Sequence, residues 1–441
     1  MKIAFATLGC KVNQFDTAVM SQEVAGENNH VVPYDQKADL YVINTCTVTE
    51  NADLESREWV KRARLTNPLA KIIVTGCYAQ TNPAEVQKIP GINLILGNEE
   101  KKKISSYLPI LNSLLLTGEQ TEQISCVGEI SREKLFKQPL IESFLDKTRA
   151  FLKVQDGCNA WCSFCIIPQA RGKSRSFTPD EIVEQILRFE EKGYREVVFT
   201  GINLGAYGLD FSPKSSLLEL FRFVERKTSH IRFRFSSIEP DYFSDELVDV
   251  FTASNRVCRH FHLPLQSGDR GILQKMNRKY TPQDYRKTVE RIHDQMPDAG
   301  IGLDVMAGFP GEGSKEFDAT YQLIADLPVS YLHVFPYSSR EKTAASHFPG
   351  QVSPEEKKER SWRLRQLSQT KGENFKRRFI GKSVKLLVEE SRKHDPPGTK
   401  RGLSDNYLKI LIEKAPHLKP NDYITVIPHT LQRDKLIANI F

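Results

Sequence analysis

No apolar run in the 441 residues approaches the roughly 18 that a membrane span requires. The longest, LPILNSLLL at 108–116, is broken by Asn112 and Ser113. The opening MKIAFATLGCKVNQ lacks both the long apolar segment and the small-residue cleavage site of a secretory leader, so a cytoplasmic protein without membrane contact is expected. Charge of one sign is not in great excess either: 62 Lys and Arg against 55 Asp and Glu give +7. That balance permits a polyanionic partner without requiring one. Cysteine is scarce, at eight residues. In a reducing compartment, clustered cysteines point to metal ligands or catalytic thiols and away from disulfides.

The chain is too long for one ordinary core, so several domains are expected. Over residues 1 to about 100, the short apolar runs KIAFATLG, DLYVINTC, KIIVTGC and INLILGN alternate with helix-length segments, the pattern of buried parallel strands in an α/β sheet. Cys10, Cys46 and Cys77 each fall at or just past the C-terminal end of one of these strands, the edge where open α/β sheets bind ligands. Spacing alone leaves two readings open: one cleft holding all three, or three unrelated buried thiols. A second βα series runs from about 149 to 336 through AFLKVQDG, EVVFTG, IRFRFSSI, HFHLPLQ, IGLDVMAG and YLHVFPYS. Thr178-Pro179-Asp180-Glu181 and Thr281-Pro282-Gln283-Asp284 announce helix starts between them, and Gly193 a helix end. Six such units predict an incomplete (β/α) barrel whose functional residues gather at the C-terminal strand ends. His260 and His262 alternate on one strand, so both should face the barrel interior in hydrogen-bonding roles.

Ser353-Pro354-Glu355-Glu356 opens a basic helix carrying Lys357, Lys358, Arg360, Arg363, Arg365, Lys371, Lys376, Arg377 and Arg378. A solvated face is the ordinary reading of such a run, and phosphate contacts are the alternative. After Gly381 the texture turns to short alternating strands, as in a small β-barrel. The expected fold class is thus α/β. A Rossmann-like parallel-sheet domain over 1–135 is followed by a partial (β/α)6 barrel over 145–352, a connecting helix over 353–380 and a small β-barrel over 381–441.

The stretch GCNAWCSFC, Gly157 to Cys165, holds Cys158, Cys162 and Cys165 with no fourth Cys or His nearby. Structural zinc takes four ligands, so a closed zinc site is disfavoured. A 4Fe-4S cluster on three thiolates keeps one iron open, and the loop follows the first barrel strand, at the mouth where substrates enter. Trp161 and Phe164 inside this loop are expected to shield a cluster from water. Cys126 and Cys258 fit neither set and are expected to be buried or incidental thiols.

This C-x3-C-x2-C pattern after a barrel's first strand resembles the radical S-adenosylmethionine (SAM) superfamily. Together with the three dispersed cysteines and the motifs FTGINLGAYG, LPLQSG, MNRKY, DVMAGFPGE and HVFPYS, nearly the whole chain resembles the methylthiotransferase family. GLSDNYLKI is similar to that family's tRNA-binding TRAM module. The resemblance implies two 4Fe-4S clusters: a radical SAM cluster on Cys158, Cys162 and Cys165, and an auxiliary cluster on Cys10, Cys46 and Cys77 that carries the sulfur to be transferred. It implies SAM as methyl donor and as source of a 5'-deoxyadenosyl radical, with Asn203, Gln266 and Asp304 as candidate SAM contacts. No classical acid or base is implied.

TLGCKVNQ resembles the branch of the family that adds a methylthio group to C2 of N6-threonylcarbamoyladenosine at position 37 of tRNA. The anticodon stem-loop, an unidentified sulfur donor and an unidentified reducing protein are then the partners of an expected monomer. Isopentenyladenosine in tRNA, a ribosomal-protein aspartate, or a non-catalytic iron–sulfur RNA-binding role are the alternative readings. Gly313 and Gln169 depart from the family's usual threonine and aromatic residue at those places.

Overall fold

The structure, a computed structural model, describes residues 1–26, 28–111, 123–130, 140–144, 147–392 and 395–440. Six parallel strands build the N-terminal sheet: β1 (Lys2–Thr7), β2 (His30–Val32), β3 (Leu40–Thr45), β4 (Lys71–Gly76), β5 (Leu94–Leu96) and β6 (Ile124–Cys126). Their order is β2-β1-β3-β4-β5-β6. Helix α1 (Lys11–Val24) covers one face, where Met20 and Val24 pack on Ile3, Leu40 and Val42. On the other face α2 (Glu50–Thr66) sets Val60 and Ala63 against Ala4, Tyr41 and Ile43. Cover on both faces explains the unbroken apolar runs of the central strands. The sequence shows only four of these strands, because β2 (HVV) and β6 (ISC) are three residues each and only partly buried.

All six expected barrel strands are present: β7 (Ala150–Lys153), β10 (Glu196–Thr200), β11 (Arg232–Phe235), β12 (His260–His262), β13 (Gly300–Ala307) and β14 (Tyr331–Pro336). They form two three-stranded parallel sheets, ordered β11-β10-β7 and β12-β13-β14. Backbone bonds from Cys258 N–H to the Phe233 carbonyl (2.7 Å) and from Ile238 N–H to the His262 carbonyl (3.0 Å) join them into one open barrel. A two-residue antiparallel ladder, β8 (Gln155–Asp156) with β9 (Arg175–Ser176), brackets the cysteine loop. Thr178, Thr281 and Ser353 form the capping boxes their sequences predict.

The helix Pro354–Arg377 lies along β14, with the Ser368 hydroxyl accepting from Leu332 N–H at 2.9 Å. Beyond it β15 (Val384–Glu389), β16 (Lys400–Ser404), β17 (Lys409–Ile412), β18 (Tyr423–Gln432) and β19 (Lys435–Ile440) close into a barrel of order β15-β16-β17-β19-β18. This module plugs the N-terminal end of the larger barrel. Arg234 donates to the Ser404 and Asp405 carbonyls at 2.9 Å each while pairing with buried Glu196 at 2.7 Å. The Tyr407 ring stacks on the His260 ring at 4.1 Å. Residues 131–139 and 145–146, around the expected boundary between the first two domains, lie outside the described residues.

Candidate active site

Cys10 sits at the N-cap of α1, Cys46 directly follows β3, and Cys77 directly follows β4 and opens α3 (Cys77–Thr81). Parallel βαβ connections thus return three dispersed positions to one sheet edge. The approach is close: a Cβ on Gly9 (φ +82°) would lie 2.6 Å from the Cys46 Sγ. Only glycine allows both that backbone conformation and that contact. Burial, followed by the neighbouring Cys77 and Cys10 sulfurs, pushes the Cys46 thiol up to about 12. Bound iron reverses such a shift by holding the thiolate.

In the second set, the Cys165 thiol is likewise pushed up to about 12 by burial and then by Cys162 and Cys158. Ala160 N–H reaches the Cys158 Sγ at 3.4 Å, and the Arg278 guanidinium reaches the Cys162 Sγ at 3.3 Å while pairing with Glu239 at 2.6 Å. Arg278 lies in the MNRKY stretch, and sequence gives no hint that it returns to the cysteine loop. Among the described residues, only His262, Asp304 and His333 bring three possible ligand atoms within 4.8 Å of one another. All six thiols are free of disulfides. Three thiols close enough to raise one another, with no fourth cysteine in either set, fit a polynuclear iron–sulfur cluster with one iron left open.

At φ +51° the Trp161 side chain is 60% exposed, whereas Phe164 alone turns inward, 6.4 Å from the Phe309 ring. Cys258 is buried beside Glu196 (3.8 Å), and Cys126 lies on edge strand β6, both apart from the two sets.

The two sets share an interface. The helix Ile167–Arg171, which begins two residues after Cys165, packs against α3, which begins at Cys77. Asn98 donates to the Ala170 carbonyl at 2.7 Å. Arg171 pairs with Asp156 (2.9 Å) and Asp16 (3.0 Å) and donates to Asn13 (2.5 Å). Lys153 and Lys101 complete a buried network around Asp16, at 2.6 and 2.8 Å. Gln169 donates to the Lys342 carbonyl at 2.6 Å, tying the loop after β14 to the same helix. Gly313 merely precedes the helix Ser314–Asp326.

Of the three candidate SAM contacts, Asn203 is buried with an amide oxygen that has no hydrogen-bond partner, and its backbone N–H donates to Gln155 at 2.9 Å. Gln266 takes φ +66°, and its carbonyl accepts from Met306 N–H at 2.9 Å. Asp304 lies 3.2 Å from both His262 and His333. Burial alone would raise its carboxyl, but these imidazoles hold it well below the usual carboxylate range. His260 and His262 both face the barrel interior: His260 Nε2 meets the Tyr331 hydroxyl at 2.8 Å, and His262 Nδ1 meets the Ser237 hydroxyl at 2.7 Å.

The basic helix divides. Arg360 is buried against Glu312, Lys371 donates to the Ala325 and Leu327 carbonyls, and Arg363, Lys376 and Arg378 pair with Asp318, Asp434 and Asp298. Arg365 and Arg377 instead line a groove with Lys409 and Arg433 from the small barrel.

A barrel with an open three-cysteine loop at its mouth, joined to a parallel-sheet domain with three cysteines at its edge, defines a radical SAM protein with a second cluster site. Comparison with known proteins agrees: residues 152–324 match the radical SAM superfamily, and residues 2–97 match uncharacterized protein family UPF0004. The chain is 40% identical over 412 residues to threonylcarbamoyladenosine tRNA methylthiotransferase MtaB of Aquifex aeolicus, covering 93% of this chain and 96% of that protein. It is 37% identical over 412 residues to MtaB of Bacillus subtilis, covering 93% and 90%. A tRNA-2-methylthio-N(6)-dimethylallyladenosine synthase of Clostridium novyi is 33% identical over 399 residues, with 88% and 86% covered. Among solved structures, the radical SAM methyltransferase TsrM of Kitasatospora setae superposes with a TM-score of 0.54 at 14% identity, covering 76% of this chain and 72% of that one, a likeness of fold. The chain belongs to the MtaB family of radical SAM methylthiotransferases.

Proposed function

We propose that the protein transfers a methylthio group to C2 of N6-threonylcarbamoyladenosine at position 37 of tRNA, using SAM and two 4Fe-4S clusters. The observation that carries this reading is the pairing of two open three-cysteine sites across one interface, in a chain that matches MtaB proteins over 93% of its length. Cys158, Cys162 and Cys165 would hold the cluster that reduces SAM, and Cys10, Cys46 and Cys77 the cluster that holds sulfur. When bound, these groups supply a carbon-centred radical for hydrogen abstraction and the sulfur that replaces the hydrogen.

The chain's own residues make that chemistry selective. Arg278 places a fixed positive charge on Cys162, which favours the reduced state of a bound cluster. The unpartnered buried oxygen of Asn203 supports its candidacy as an acceptor for SAM, with Gln266 and Asp304 as the other candidate polar contacts. The Arg171 network fixes the two cysteine sets relative to each other, as required for two groups that act on one carbon atom.

The boundaries 1–135, 145–352, 353–380 and 381–441 are proposed as the domain limits. The groove of Arg365, Arg377, Lys409 and Arg433 is proposed to track the anticodon stem-loop backbone of a tRNA bound by a cytoplasmic monomer. No described helix is long and apolar enough to cross a membrane. Nucleoside mass spectrometry of tRNA from cells with and without the gene tests the function. Loss of 2-methylthio-N6-threonylcarbamoyladenosine with accumulation of the unmethylthiolated nucleoside is expected; unchanged nucleosides would sink the reading.

A further inference from the structure

The residue after Cys10 is a lysine whose placement neither the fold nor the clusters explain. Lys11 opens α1, and the helix repeat puts it on the same stripe as Phe15 and Val19. Both of those residues belong to the core of the large barrel, not to that of the N-terminal sheet, and Ala18 packs on the same core. The N-terminal turn of α1 therefore faces the barrel. Lys11 is only partly buried, and among the described residues its ammonium has no hydrogen-bond or ion-pair partner. One turn along the same face, the Gln14 amide oxygen is buried and also unpartnered.

The charge on Lys11 reaches the barrel wall. After burial, Arg234 and His262, it is among the groups that hold the His260 imidazole well below its ordinary value. The wall there carries a further unsatisfied polar atom: His260 Nδ1 is buried without a hydrogen bond, whereas His262 Nε2 is taken by Asp304 at 3.2 Å. Buried polar atoms rarely go without partners in a finished structure, and the Gln14 oxygen and His260 Nδ1 are each a place for a ligand's donor or acceptor.

We propose that Lys11, supported by Gln14, is the residue that reads the substrate's N6 side chain, its ammonium taking the terminal carboxylate of the threonylcarbamoyl group. This rests on the function proposed above. On adenine, C2 and N6 lie on the same edge, flanking N1, so a residue beside a ligand of the sulfur-holding cluster also stands beside the N6 substituent. A threonylcarbamoyl group ends in a carboxylate and a hydroxyl, whereas a dimethylallyl group is a hydrocarbon. An unpaired ammonium at this point favours the first and is left desolvated and unpaired by the second.

The test uses the reconstituted full-length protein and its Lys11→Met and Lys11→Arg variants, each first shown to carry the parent's iron content and cluster absorption. Two anticodon stem-loop RNAs are compared, one with threonylcarbamoyladenosine and one with its neutral carboxamide analogue. Affinity is measured without reductant, and kcat/KM with it. The parent should prefer the acid. Lys11→Met should lose roughly 30-fold on the acid, the scale of one charge-assisted hydrogen bond, and little on the amide, abolishing the preference. Lys11→Arg should restore part of it. Equal losses on both RNAs, or no loss on either, would overturn the role of Lys11 while leaving the proposed function standing. A parent protein that modifies neither RNA would overturn the function, and this inference with it.

Discussion

Arg171 and Asp16 form an ion pair at 3.0 Å with side chains only 2% and 4% exposed, joining the helix that follows Cys165 to the helix that follows Cys10. Arg171 also binds Asp156, two residues before Cys158, so one guanidinium spans both cysteine sets. Burying such charges is costly, and removing one partner leaves the others uncompensated. Arg171→Met should destabilise the protein by about 3–5 kcal/mol, seen as a lower denaturation midpoint. An unchanged midpoint would show that the network does not hold the interface.

The two cysteine sets should load independently. The reconstituted protein should bind about eight irons per chain, and the variant with Cys10, Cys46 and Cys77 all changed to Ala about four, measured by iron analysis. Iron content that does not fall in this variant would remove the second cluster from the account.

Stability should carry the signature of Glu196. Burial alone would raise its carboxyl, but Arg234 and Arg232 beside it lower it from 4.5 to about 2. A depressed folded-state value contributes stability above the unfolded value of 4.5, and that contribution is lost as pH falls toward about 2. Glu196→Gln should therefore be less stable than the parent at neutral pH, with the gap closing as pH falls through that window in chemical denaturation. A gap constant across it would mean the charge is not what matters there.

RNA affinity should depend on the groove cations that have no ion-pair partner among the described residues. Changing Arg365 and Arg377 to Gln should weaken binding and reduce the slope of log affinity against log salt by about one per contact removed. Changing Arg360, which is buried against Glu312, should affect folding instead. A salt slope unaltered by the first pair would return that face of the helix to solvent.

Much of this was legible in the sequence because the signals are local or periodic. Six barrel strands, the capping boxes at Thr178, Thr281 and Ser353, and the C-x3-C-x2-C loop each lie within a few residues of chain. The edge strands β2 and β6 were not legible, since three partly buried residues carry too little pattern. Nor were Arg278, Lys101 and Arg171 as members of the site. Their roles depend on tertiary return: Arg278 lies 116 positions from Cys162, and Arg171 lies 155 from Asp16. In sequence, a buried lysine in KKK looks the same as a solvated one. The basic helix could not be divided in sequence for the same reason, because which arginines face acids and which face open space is set by packing with the barrel.

The most direct measurement is a single anaerobic reaction: reconstituted protein, SAM, a strong reductant and an anticodon stem-loop bearing threonylcarbamoyladenosine, followed by mass spectrometry of the RNA. The account predicts that one hydrogen of the modified adenosine is replaced by a methylthio group, with 5'-deoxyadenosine formed alongside and neither product from the Cys158→Ala variant. SAM cleavage without any methylthio product, or product formed equally by that variant, would contradict it.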